Sequence, residues 1–105
     1  MNRLYILLTV MVVMLTAPLF GAHEASAEDF LGTALNDTLF GTEGDDYLKG
    51  RAGDDYLDAA GGNDTIEGGR GSDQIIPGEG ADVVLAGAGN DRIYARDTAS
   101  FASIT

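Results

Sequence analysis

A fixed period of nine residues constrains this chain more than any other feature of its sequence. From Gly32 it divides without insertion into seven units: GTALNDTLF (32–40), GTEGDDYLK (41–49), GRAGDDYLD (50–58), AAGGNDTIE (59–67), GGRGSDQII (68–76), PGEGADVVL (77–85) and AGAGNDRIY (86–94). The sixth position is aspartate in every unit: Asp37, Asp46, Asp55, Asp64, Asp73, Asp82 and Asp91. The eighth is always a branched aliphatic: Leu39, Leu48, Leu57, Ile66, Ile75, Val84 and Ile93. The fourth is glycine in six units (Gly44, Gly53, Gly62, Gly71, Gly80 and Gly89), with Leu35 the exception. One nonapeptide cannot bury its apolar residue alone, so such a chain must stack its units.

These columns resemble the RTX (repeats-in-toxin) calcium-binding nonapeptide, G-G-x-G-x-D-x-U-x with U a large aliphatic. The resemblance covers 63 of the 78 residues that follow position 27. It implies an all-β parallel β-roll, a β-solenoid, in which six residues form a calcium-binding turn and three a short strand. The chemistry reads the same way from the residues. Glycine permits a tight turn whose carbonyls point inward. Calcium takes six to eight oxygens from carboxylates and carbonyls, and the sixth-position aspartate supplies the charge. In the strand that follows, the eighth side chain points inward and the seventh outward. The seventh column (Thr38, Tyr47, Tyr56, Thr65, Gln74, Val83, Arg92) suits an outward face.

Candidate calcium ligands are the seven aspartates together with Gly41, Gly44, Gly50, Gly53, Gly62, Gly69, Gly71, Gly78, Gly80, Gly87 and Gly89. Two units per coil place units one, three, five and seven on one edge, and two, four and six on the other. A calcium ion bridging neighbours on an edge then has five places, between units 1–3, 3–5, 5–7, 2–4 and 4–6. Departures from glycine at Leu35, Ala59, Ala60, Pro77 and Ala86 make these places unequal. Stacked aspartates, such as Asp46 over Asp64 over Asp82, are expected to repel without a cation, and a domain this small buries too little to offset that. Folding is therefore expected to depend on calcium, with an affinity of roughly 10⁻⁴–10⁻³ M as in extracellular modules.

The first 27 residues read as a cleavable helical signal peptide. Arg3 is followed by the apolar run Leu4–Leu15, by Pro18, and by Ala25-Ser26-Ala27 before Glu28. The run is short for a membrane span, which needs roughly 20 apolar residues. Without this segment the chain holds 5 basic and 16 acidic residues, Arg3 and Glu24 having been subtracted from the full 6 and 17. A net charge of −11 excludes nucleic acid and anionic membranes as partners. The sole histidine, His23, leaves with the leader and there is no cysteine, which excludes a catalytic triad and a zinc site.

Other constellations fall away. Asp45-Asp46 and Asp54-Asp55 are paired carboxylates, but a narrow roll offers no glycosidase cleft. No aspartate is followed two residues later by Asp or Asn, which excludes an EF-hand loop. The sequons at Asn36 and Asn63 coincide with the repeat. Tyr47 and Tyr56 belong to adjacent units and so to opposite sheets. The expected organisation is a signal peptide (1–27), a lead-in segment (28–31), the roll (32–94) and an irregular tail or minimal cap (95–105). The expected protein is not an enzyme. It is a calcium-binding protein of the extracellular space or cell envelope, with no membrane insertion after leader cleavage. The alternative is the calcium-binding fragment of a larger secreted hydrolase or toxin.

Overall fold

The computed structural model describes residues 12–13, 27–96 and 101–104. Among them are ten strands and no helix: β1 (Val12–Val13), β2 (Asp29–Leu31), β3 (Thr38–Phe40), β4 (Tyr47–Ala52), β5 (Tyr56–Asp58), β6 (Thr65–Arg70), β7 (Gln74–Ile76), β8 (Asp82–Ala88), β9 (Arg92–Ile93) and β10 (Phe101–Ile104). They form two five-stranded parallel sheets, ordered β1-β3-β5-β7-β9 and β10-β8-β6-β4-β2. The alternation of odd and even units between sheets follows from the period. Each unit makes half a coil, so like positions meet every 18 residues, as Leu39 meets Leu57 and Leu48 meets Ile66.

The eighth column is the core. Leu39, Leu48, Leu57, Ile66, Ile75 and Val84 are each 0% exposed and cluster with Phe30, Ala59 and Ala86, with Ile93 packed at the end. Strands β3 and β5 show the burial order intermediate, buried, intermediate, which is the pleat acting on three residues. Two departures from the sequence reading concern the strands. Strands β4, β6 and β8 of the second sheet are six or seven residues long, because the parallel ladder runs on through the next unit's opening residues, pairing Arg51 with Gly69 and Gly69 with Gly87. The lead-in residues themselves supply a strand of the second sheet: β2 pairs with β4, and Phe30 stacks under Leu48 in the core.

Most of the expected signal peptide lies outside the described residues. Within it, Val12 and Val13 are extended and pair with Thr38 and Leu39. In the C-terminal segment, β10 pairs with β8, and a register shift separates Phe101 from Ser103.

Candidate metal centre

The sixth-position aspartates turn inward at the two edges of the roll. Six of them, Asp37 to Asp82, are at most 3% exposed. Their carboxylates form a ladder rather than a purely repulsive stack. The backbone N–H of Asp46 donates to Asp64 Oδ1 at 2.7 Å, and that of Asp64 donates to Asp82 Oδ1 at 2.9 Å. On the other edge Asp37 donates to Asp55 (2.8 Å), Asp55 to Asp73 (2.9 Å) and Asp73 to Asp91 (3.0 Å). Glu28 begins the even ladder through its N–H to Asp46 Oδ1 at 3.0 Å. The repulsion expected between stacked aspartates is thus offset at one oxygen of each from Asp46 onward. Charge-assisted bonds of this kind are among the stronger hydrogen bonds.

The second oxygen is a different matter. Oδ2 of Asp55, Asp64, Asp73 and Asp82 is buried with no hydrogen-bond partner. A buried polar atom left unpaired costs roughly 1–3 kcal/mol, more when it carries charge. Burial accordingly pushes these carboxyls up, to about 6 for Asp55 and about 7 for Asp64, with Asp73 and Asp82 raised in the same direction. The ladder N–H donors oppose the rise without cancelling it. Four buried orphan oxygens of this charge suit a hard divalent cation.

The glycines shape the space around them. First-position glycines lie against the carboxylate of their own unit: a Cβ on Gly68 would stand 2.6 Å from Asp73 Oδ2, and one on Gly50 would collide with Asp55 Oδ2. Fourth-position Gly62, Gly71, Gly80 and Gly89 hold left-handed backbone at φ +101 to +127. Each lies against the carbonyl of the glycine one coil earlier, where a Cβ would overlap it. This close approach gathers backbone carbonyls along each edge. No three His, Cys, Asp or Glu side chains converge on a metal position among the described residues. The backbone carbonyls brought close at the glycine turns are further oxygen donors of the kind calcium accepts.

The expected site residues divide unevenly. Asp55, Asp64, Asp73 and Asp82 share the orphan geometry, and Gly53, Gly62, Gly69, Gly71, Gly78, Gly80, Gly87 and Gly89 all have positive φ. Gly41 and Gly50 sit beside the carboxylates of their own units. Gly44 is buried without being left-handed, and Asp91 is only part-buried at the end of its edge. At Asp37 and Asp46 the carboxylates are instead held by Thr33 and Thr42 of the same units. Arg51 and Ala60 occupy second positions at φ 82° and 70°, where later units have glycine.

A second ladder was not read from the sequence. In the fifth column, Asn36 Oδ1 accepts the N–H of Asp54, Asp45 that of Asn63, Asp54 that of Ser72, and Asn63 that of Ala81. The signal was available as Asn or Asp at this position in five of seven units. As expected, Tyr47 and Tyr56 part company: Tyr47 bonds Glu67 on one sheet, while Tyr56 meets the Phe40 ring edge-on at 6.0 Å on the other.

The sequence model of the RTX calcium-binding nonapeptide repeat (four copies) matches residues 31–66, 58–93 and 76–98. No curated protein and no solved structure matches the chain.

Proposed function

The chain belongs to the RTX calcium-binding nonapeptide repeat family, and from that premise we propose that it is an exported protein whose roll folds when calcium enters its turns. It is a calcium-binding β-solenoid, and its repeat is a structural motif rather than a catalytic one. The observation that carries the folding reading is the set of four buried, unpartnered carboxylate oxygens. Asp55, Asp64, Asp73 and Asp82 would hold the ions, with carbonyls of the stacked turns supplying further oxygens. Bound calcium would place positive charge beside these oxygens, which are buried without a hydrogen-bond partner. Where a site exists only in the folded chain, binding free energy becomes folding free energy.

Export is supported by the positive start, apolar run and small-residue cleavage pattern of residues 1–27. It agrees with the ion as well. Sites of roughly 10⁻⁴–10⁻³ M are empty inside a cell and filled outside it.

Far-ultraviolet circular dichroism of residues 28–105, titrated with calcium and then magnesium, tests the reading. A coil spectrum should turn to β above roughly 0.1 mM calcium with little response to magnesium. A chain that stays unfolded at 10 mM calcium, or is already folded in chelator at pH 8, would overturn calcium-coupled folding.

A further inference from the structure

We infer that Thr33 and Thr42 do for the first two turns what calcium does for the later ones, so that metal loading starts at Asp55. The inference rests on the calcium reading above and assigns its sites within the chain.

The second position of the seven units reads Thr33, Thr42, Arg51, Ala60, Gly69, Gly78 and Gly87. From Arg51 onward every one is left-handed, at φ +70 to +101; the two threonines are not. A β-branched residue resists the left-handed region, so threonine selects the other form of the turn. In that form the backbone N–H points at the carboxylate. Thr33 N–H donates to Asp37 Oδ2 at 2.5 Å, and Thr42 N–H to Asp46 Oδ2 at 2.6 Å. Each hydroxyl adds a second contact, 2.9 Å from Oδ2 and 3.1 Å from Oδ1. Each also accepts the N–H two residues on, from Leu35 and Gly44, at 3.0 Å.

The contrast is between oxygens of one chemical type in one repeat. Oδ2 of Asp37 and Asp46 has an amide and a hydroxyl; Oδ2 of Asp55, Asp64, Asp73 and Asp82 has neither. Thr33 lies on one edge of the roll and Thr42 on the other, so together they settle both carboxylates of the first full coil. A cation there would have to displace two donors already in place.

The test is calcium stoichiometry by equilibrium dialysis, with circular dichroism at saturating calcium to confirm folding. Asp37→Asn and Asp46→Asn should leave the number of bound ions unchanged, whereas Asp64→Asn and Asp73→Asn should each lower it. The double variant Thr33→Gly/Thr42→Gly should bind more calcium than the parent, which keeps the inference testable if an asparagine variant fails to fold. Loss of an ion from Asp46→Asn equal to that from Asp64→Asn, or no gain in the glycine variant, would overturn the assignment while leaving calcium binding intact. A parent chain that binds no calcium would overturn the calcium reading and this inference with it.

Discussion

At the scale of the residue, the raised carboxyls of the later turns link the fold to pH. Asp55 and Asp64 are lifted from 3.8 to about 6 and about 7 in the roll. Their protonated forms are therefore favoured by folding. The resulting stabilisation is full below pH 3.8 and disappears as pH rises through about 7. In chelator, the β signal should accordingly grow as pH is lowered from 8 to 5, and an unchanging spectrum would contradict the burial of these groups. Protons and calcium also compete for the same oxygens, so the calcium midpoint should move to higher concentration over that range. Backbone strain gives a second residue-scale expectation. Arg51 and Ala60 hold left-handed φ at a cost of about 1 kcal/mol each. Arg51→Gly and Ala60→Gly should raise the melting temperature in calcium, and Gly80→Ala, which meets the Gly62 carbonyl, should lower it. The aspartate and glycine columns were legible in the sequence because every unit repeats them. Which carboxylates already have partners was not, because Thr33 and Thr42 stand in a column of mixed composition, and only the turn geometry shows their reach.

At the scale of the element, β2 shows how a strand can hide from a repeat search. Counting back nine from Asp37 gives Glu28, and from Leu39 gives Phe30. Both fill their columns in the fold, Glu28 at the head of the amide ladder and Phe30 beneath Leu48. Residues 23–31 lack the turn glycines, so a pattern anchored on glycine starts one half-coil late. Phe30 is a full core member, and Phe30→Ala should cost about 3 kcal/mol, read as a lower calcium-saturated melting temperature. A loss no larger than that of an exposed residue such as Leu31 would place Phe30 outside the cooperative unit. The long strands of the second sheet were also invisible in advance. Their extra residues, such as Gly50-Arg51-Ala52, carry no apolar alternation, and only the ladder to the next coil makes them strand. The β10 segment lies beyond the period altogether: nine residues past Asp91 is Ser100, and nine past Ile93 is Ala102.

At the scale of the whole molecule, period and alternation were enough to assign every repeat to its sheet before any coordinates. Nine residues make half a coil, and the apolar column can face inward on both sides only if successive units alternate. The structure adds polarity between coils. Amides of the sixth column donate forward to the next coil's carboxylates, while amides of the fifth column donate back to the previous coil's side chains. Each coil is thus fastened to its neighbour in both senses, and with an offset of 18 residues throughout. That constant offset makes the length of this chain a quantised property. Losing residues 59–76 would remove one complete coil and return Pro77 to the edge and sheet it already occupies. Losing nine would keep every column in phase yet carry all later units to the opposite side, where the neighbouring strands differ in length, three residues in β3, β5 and β7 against six or seven in β4, β6 and β8. Losing one would break both ladders from that point onward. A gene of this kind can lengthen or shorten by whole coils, and by little else.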